Sequence, residues 1–155
     1  RSLLSIKYEE QVEYELLEYL LTSHESLNIY RYSYRSYIQI EHVIDLLMLD
    51  LEYSRSLTYM FSRIQKDISK LPHSNNINHL SEYQKFIFEG FAKLRLANSE
   101  HLAKTASQKE MLRQDLDTLF EELSDLLYKT SQSISKTYFD HTYKQNQLVT
   151  QSFPI

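Results

Sequence analysis

Cysteine and tryptophan are missing from this 155-residue chain, glycine occurs once and proline twice. Without cysteine there is no disulfide scaffold, no thiol nucleophile and no thiolate metal site. One glycine cannot build the loop that brings several backbone N–H groups around a phosphate. So little glycine and proline also leaves long loops and β-turns almost no raw material. No run of about 18 apolar residues occurs, which excludes a spanning helix. The opening residues lack the basic stretch, apolar run and small-residue cleavage site of a signal peptide. A surplus of positive charge is missing as well: 17 Lys and Arg stand against 21 Asp and Glu, a formal −4. That balance argues against nucleic-acid binding, which rests on cations neutralising phosphates. The expected compartment of such a cysteine-free acidic chain is the cytoplasm. Starting at Arg1 rather than methionine, it reads as a fragment or a processed product.

What is present is helical in pattern. With 42% hydrophobic and 25% charged residues, the composition is that of an ordinary globular domain. Apolar residues Leu3, Leu4, Tyr8, Val12, Leu16, Tyr19 and Leu20 recur at three- and four-residue steps and predict a first amphipathic helix. Its acids, Glu9, Glu10, Glu13, Glu15 and Glu18, form a solvated face. A break near Ser23 or Ser26 precedes Ile29–Ile40. There Tyr30, Tyr32 and Tyr34 alternate like a strand, while Tyr30, Tyr34 and Tyr37 line one helix face. Helix is the expectation, because no second strand-like segment exists to pair with. Val43–Leu49 is apolar enough to be buried on most sides. A further helix is expected from about Tyr53 to Leu71, with Leu57, Phe61, Ile64 and Ile68 inward, stopped by Pro72 and followed by a loop over 73–78. Leu80-Ser81 opens a helix carrying Tyr83, Ile87, Gly90, Phe91, Leu94 and Ala97, with Gly90 marking a close approach of two helices. From Ser107 onward the stripe Leu112, Leu116, Leu119, Leu123, Leu126, Leu127, Ile134 and Tyr138 predicts a helix of about 45 Å. The fold class is therefore all-α: an up-and-down bundle of five to six helices with a long C-terminal helix, one domain over 1–141, and a polar tail over 142–155.

Chemistry-bearing motifs are sparse. A di-iron bundle needs Glu-x-x-His on two helices, and only His42-x-x-Asp45 and His79-x-x-Glu82 come near that spacing, so no metal and no cofactor is expected. No serine sits on a Gly-x-Ser-x-Gly elbow. Asp140-His141 and Glu41-His42 are adjacent pairs whose side chains diverge by about 100° on a helix, so neither is a preformed dyad, and no catalytic residue is assigned. The unusual cluster is Tyr30-Arg31-Tyr32-Ser33-Tyr34-Arg35-Ser36-Tyr37. On a helix Arg31 and Arg35 lie one turn apart with Tyr30, Tyr34 and Tyr37 beside them, a spacing that clamps a carboxylate or phosphate. The competing reading packs the arginine stems on tyrosine rings and bridges them to Asp45 or Asp50. Ser54 or Ser56 caps the next helix, with Arg55 tying back to Asp50. The candidate binding residues are thus Tyr30, Arg31, Tyr34, Arg35, Asp50 and Arg55.

Several of these residues carry a resemblance. Tyr30-Arg31, Tyr34, the run Val43-Ile44-Asp45-Leu46-Leu47-Met48-Leu49-Asp50, Arg55-Ser56-Leu57, Ser133-Ile134-Ser135 and Tyr138-Phe139 with His141 resemble the Alpha-E family, a bacterial all-helical domain. Ser54 stands where that family usually has proline. The resemblance covers about residues 1–141 and looks like the second half of the family domain. It implies an encoded neighbour or fusion partner: a circularly permuted ATP-grasp protein, with a transglutaminase-like protein as the further candidate. It implies no catalytic residue. The expected function is a non-catalytic accessory or interaction domain serving an ATP-grasp ligase in peptide-like amide-bond formation. The alternative is an enzyme or enzyme subunit that clamps an anionic substrate with Arg31, Arg35 and Arg55. A homodimer through apolar surface left by the absent half is the third expectation.

Overall fold

The computed structural model describes residues 3–72, 79–107 and 110–139. Among them are seven α-helices: α1 Glu10–Ser23, α2 Leu27–Tyr34, α3 Ile40–Ile44, α4 Leu57–Ile68, α5 Glu82–Leu96, α6 Ser99–Leu102 and α7 Gln114–Tyr138. The fold is an all-α bundle with a long C-terminal helix, as the periodicity predicts. Two of the helices, α3 and α6, are too short for a stripe to announce.

The bundle proper is α4, α5 and α7. Ser56 caps α4 by accepting the Tyr59 backbone N–H at 3.0 Å, so of the two serines proposed as caps it is Ser56 that serves. Ser81 and Gln84 form a capping box that starts α5. The end of α4, the start of α5 and the end of α7 meet where Tyr138 donates to the Pro72 carbonyl at 2.7 Å and shares a 3.0 Å hydrogen bond with the Tyr83 hydroxyl. Neighbouring helices therefore run antiparallel. Leu116, Leu119, Leu123 and Leu126 of α7 are buried, each contributing about 1.5–3 kcal/mol by leaving water. Gly90 lets α4 and α5 close: a Cβ there would lie 2.4 Å from Cε1 of Phe61.

Three sequence expectations need correction. The first helix does not begin at Leu3. Leu3–Ser5 is a 3₁₀ turn, and the extended chain after it pairs with the residues before α7: Lys7 N–H donates to Met111 O at 2.6 Å and Arg113 N–H to Ser5 O at 2.8 Å. The same pairing keeps Leu112 out of α7, which starts at Gln114 and spans roughly 37 Å. The stripe of α1 is turned accordingly, with Leu17 and Leu21 buried and Val12 and Tyr19 exposed. Finally, Ile29–Ile40 is not one helix. Arg35 adopts a left-handed conformation (φ 49°, ψ 29°) that ends α2, and the chain runs extended to Gln39 before α3 begins. Val43–Leu49 continues from α3 as a π-helical turn over Asp45–Leu49, closed by Asp50 N–H to Asp45 O at 2.9 Å. Val43, Ile44, Leu46 and Met48 are buried there. These residues, Leu17, Tyr30, Phe61, Ile87 and Leu116 share one core. The expected tail over 142–155 and the loop over 73–78 lie outside the described residues.

Candidate functional site

The break at Arg35 disperses the Tyr/Arg cluster. Tyr30 is fully buried, and its hydroxyl donates to the Tyr37 carbonyl at 3.0 Å while accepting the Gln39 N–H at 3.1 Å. It thereby pins the extended segment that follows α2. Tyr34 is half-buried, donates to Asp45 Oδ2 at 2.7 Å and stacks on His42 with ring centroids 4.6 Å apart. Burial, reinforced by that carboxylate, pushes the Tyr34 phenol well above its usual range. Tyr37 does not share their face; it stands 85% exposed beyond the helix end.

The arginines part company too. Arg31 reaches back to Glu18 of α1 at 3.2 Å, an exposed pair. Arg35, off the end of the helix, makes no ion pair among the described residues. Arg31 and Arg35 nevertheless border one hollow of about 290 Å³ with Tyr14 and Tyr37. Arg55 is elsewhere. It binds Glu25 at 2.5 Å and the His24 carbonyl, so the expected tie to Asp50 is not made. The Arg55 guanidinium beside Glu25 holds that carboxyl below its ordinary range. Asp50 turns the chain instead, accepting the N–H groups of Glu52 and Tyr53 at 2.7 and 3.0 Å, while its carbonyl accepts from Ser56 Oγ. Asp45, the other acid proposed to bridge an arginine, is the acceptor of Tyr34.

Among the described residues no group of three or more His, Asp or Glu side chains is placed to hold a metal ion. His42 Nδ1 lies 3.4 Å from both the Tyr30 hydroxyl and Ser36 Oγ. Asp140 and His141 lie outside the described residues.

The sequence reading passed over the most heavily bonded arginine, Arg113, which is 1% exposed. Its guanidinium pairs with Glu13 and donates to the carbonyls of Ala103, Leu4 and Ile6 at 3.0, 3.0 and 2.8 Å. Four of its five N–H hydrogens are thus directed at oxygen, which is what makes a buried cation tolerable. The pair forms part of the wall of a large cleft, about 1150 Å³, which lies between the start of α1, the extended segment 37–39 and the residues after α6. A separate apolar hollow of about 570 Å³, with Leu3, Leu20, Leu47, Met60 and Phe120 in its walls, lies beside Arg55. No helix among the described residues is long and apolar enough to cross a membrane.

No curated protein and no solved structure matches the chain. One family does: Alpha-E, described as a predicted alpha-helical domain with a conserved ER motif, matches residues 1–139. No Glu-Arg dipeptide occurs in this sequence, so the motif in that literal form is absent here. The match takes in every described residue through Phe139, and the chain belongs to the Alpha-E family.

Proposed function

We propose that this chain is an accessory interaction domain without chemistry of its own, working in the cytoplasm with an ATP-grasp ligase that forms peptide-like amide bonds. The partner class comes from the family resemblance. The structural support is the set of side chains held out to solvent around the end of α2: Tyr32 at 77% and Tyr37 at 85% exposure, together with the exposed Arg31 and Arg35. Tyrosine and arginine dominate the energetics of protein interfaces, and an exposed tyrosine loses little conformational freedom when covered. Co-purification with a circularly permuted ATP-grasp protein of the same genome tests the reading. The pair should associate, and Tyr32→Ala should weaken the association by about tenfold. Absence of association with that protein removes the proposal.

The second reading, an anionic substrate held by arginines, is favoured by the hollow that Arg31 and Arg35 share. Arg55 has no part in it, because Glu25 and the His24 carbonyl occupy its guanidinium. A homodimer through the apolar hollow at Leu20, Leu47 and Phe120 would show as a mass that doubles with concentration.

A further inference from the structure

The extended segment between α2 and α3 has an unusual property. Tyr37 and Gln39 have their backbone groups engaged by the Tyr30 hydroxyl, and Gln39 O accepts the Val43 N–H at 3.0 Å. Ile38, between them, makes no backbone hydrogen bond among the described residues. A half-buried residue with both main-chain groups unpaired is a place where a second extended chain can add its own amides. Ile38 also belongs to the walls of both the large cleft and the smaller arginine hollow, which share Tyr14 and Tyr37 as well. The two spaces therefore form one trough running past Ile38.

Its two ends differ in charge: cations alone border the hollow, whereas the cleft carries as many bases as acids. At the hollow end stand Arg31, whose exposed pairing with Glu18 is readily exchanged, and Arg35, with no ion pair among the described residues. In the large cleft the acids Glu10 and Glu41 line the walls with Lys7 and Lys104. Arg113 and Glu13 neutralise one another there.

We propose that this trough binds a short extended peptide with an acidic, free carboxyl end. Its backbone amides pair with the N–H and C=O of Ile38, and its carboxylates meet Arg31 and Arg35. The proposal goes beyond docking to a ligase: Arg31, Arg35 and Tyr37 would serve both, but Tyr32 is in neither wall of the trough, so Tyr32→Ala should leave peptide binding unchanged.

The probe is the unlabelled tetrapeptide Ala-Val-Ala-Asp, titrated into the full chain by calorimetry. Three changes are then made: the peptide carboxylates are converted to amides, the two central peptide nitrogens are methylated, and Arg35 is replaced in the protein (Arg35→Glu). Each should weaken binding by about tenfold, the scale of one lost hydrogen bond to a charged or buried partner. Far-ultraviolet circular dichroism confirms that the variant is folded, and the two peptide changes leave the protein untouched. A tetrapeptide that does not titrate at millimolar concentration overturns the proposal. So does a loss on carboxylate removal with none on methylation, which would reduce the site to an anion hollow that inorganic phosphate fills equally well. A loss on methylation with none on Arg35→Glu overturns the assigned orientation and with it the proposal.

Discussion

Residues 3–56 and 57–139 are held together in different ways. The second region is three long helices of 12, 15 and 25 residues packed through apolar stripes, with the ring of Phe61 against Gly90 and the leucines of α7 inward. The first has no helix beyond 14 residues and is broken three times between Ser23 and Leu57. Polar groups fix those breaks: the Tyr30 hydroxyl on the segment after α2, Tyr34 on Asp45, Ser26 against the Tyr53 hydroxyl at 2.6 Å, Arg55 on Glu25. Eight of the 13 tyrosines fall in this region. A phenol both fills core volume and offers a hydrogen bond at its far end, so it can bury a bend without leaving the main chain unsatisfied. Where a stripe is long, packing alone positions the chain; where it is short, directed hydrogen bonds must do so. The exposed arginines and tyrosines of the candidate surface sit in the region of the second kind.

The sharpest way to break that contrast is Arg113→Met, which removes a side chain of the second region whose partners lie mostly in the first. It strips Glu13 and three carbonyls of their partner and should cost about 3–5 kcal/mol, read as a lower urea midpoint. Pairing it with Glu13→Leu should recover much of the loss, because no buried charge is then left unpaired. The second region responds to Gly90→Ala. The added methyl must displace the Phe61 ring, at about 1–3 kcal/mol for overpacking, offset by up to about 1 kcal/mol of helix propensity. A net loss rescued by Phe61→Leu confirms that the contact is steric.

Smallest is Tyr34→Phe, about 1 kcal/mol at neutral pH from the lost bond to Asp45. Its pH dependence is more telling than its size. The native phenol titrates above its ordinary value near 10, so above about pH 10 the unfolded chain releases the proton first. The stability contributed by this group is complete below that pH and lost as pH climbs further. The phenylalanine variant lacks that share of the alkaline loss, so urea midpoints of the two proteins should converge as pH rises above about 10.

The all-α class and the inward faces of α4, α5 and α7 were legible because long stripes have one period and Pro72, Ser56 and Ser81 punctuate them. The close approach at Gly90 was legible for the same reason: a lone glycine inside a stripe lacks any other use. The first region was not. Nothing local distinguishes Ile29–Ile40 as one helix from a helix that stops at Arg35, since the stop is made by hydrogen bonds from Tyr30 across seven and nine residues. Arg113 was invisible for a stronger reason. Its partner Glu13 is 100 residues away, and three of its acceptors are backbone carbonyls, which any sequence would supply. The clustered arginines drew attention by spacing, and the spacing dissolved once the helix carrying them ended.

The use of the single glycine inside α5 has a practical corollary. Both left-handed non-glycine positions among the described residues, Glu25 (φ 53°) and Arg35 (φ 49°), are occupied by side chains that such a backbone disfavours by about 1 kcal/mol or more. These corners are thus an untapped reserve for thermal hardening. A protein engineer could draw on it at Glu25, giving up the exposed ion pair with Arg55 but repacking no interior atom.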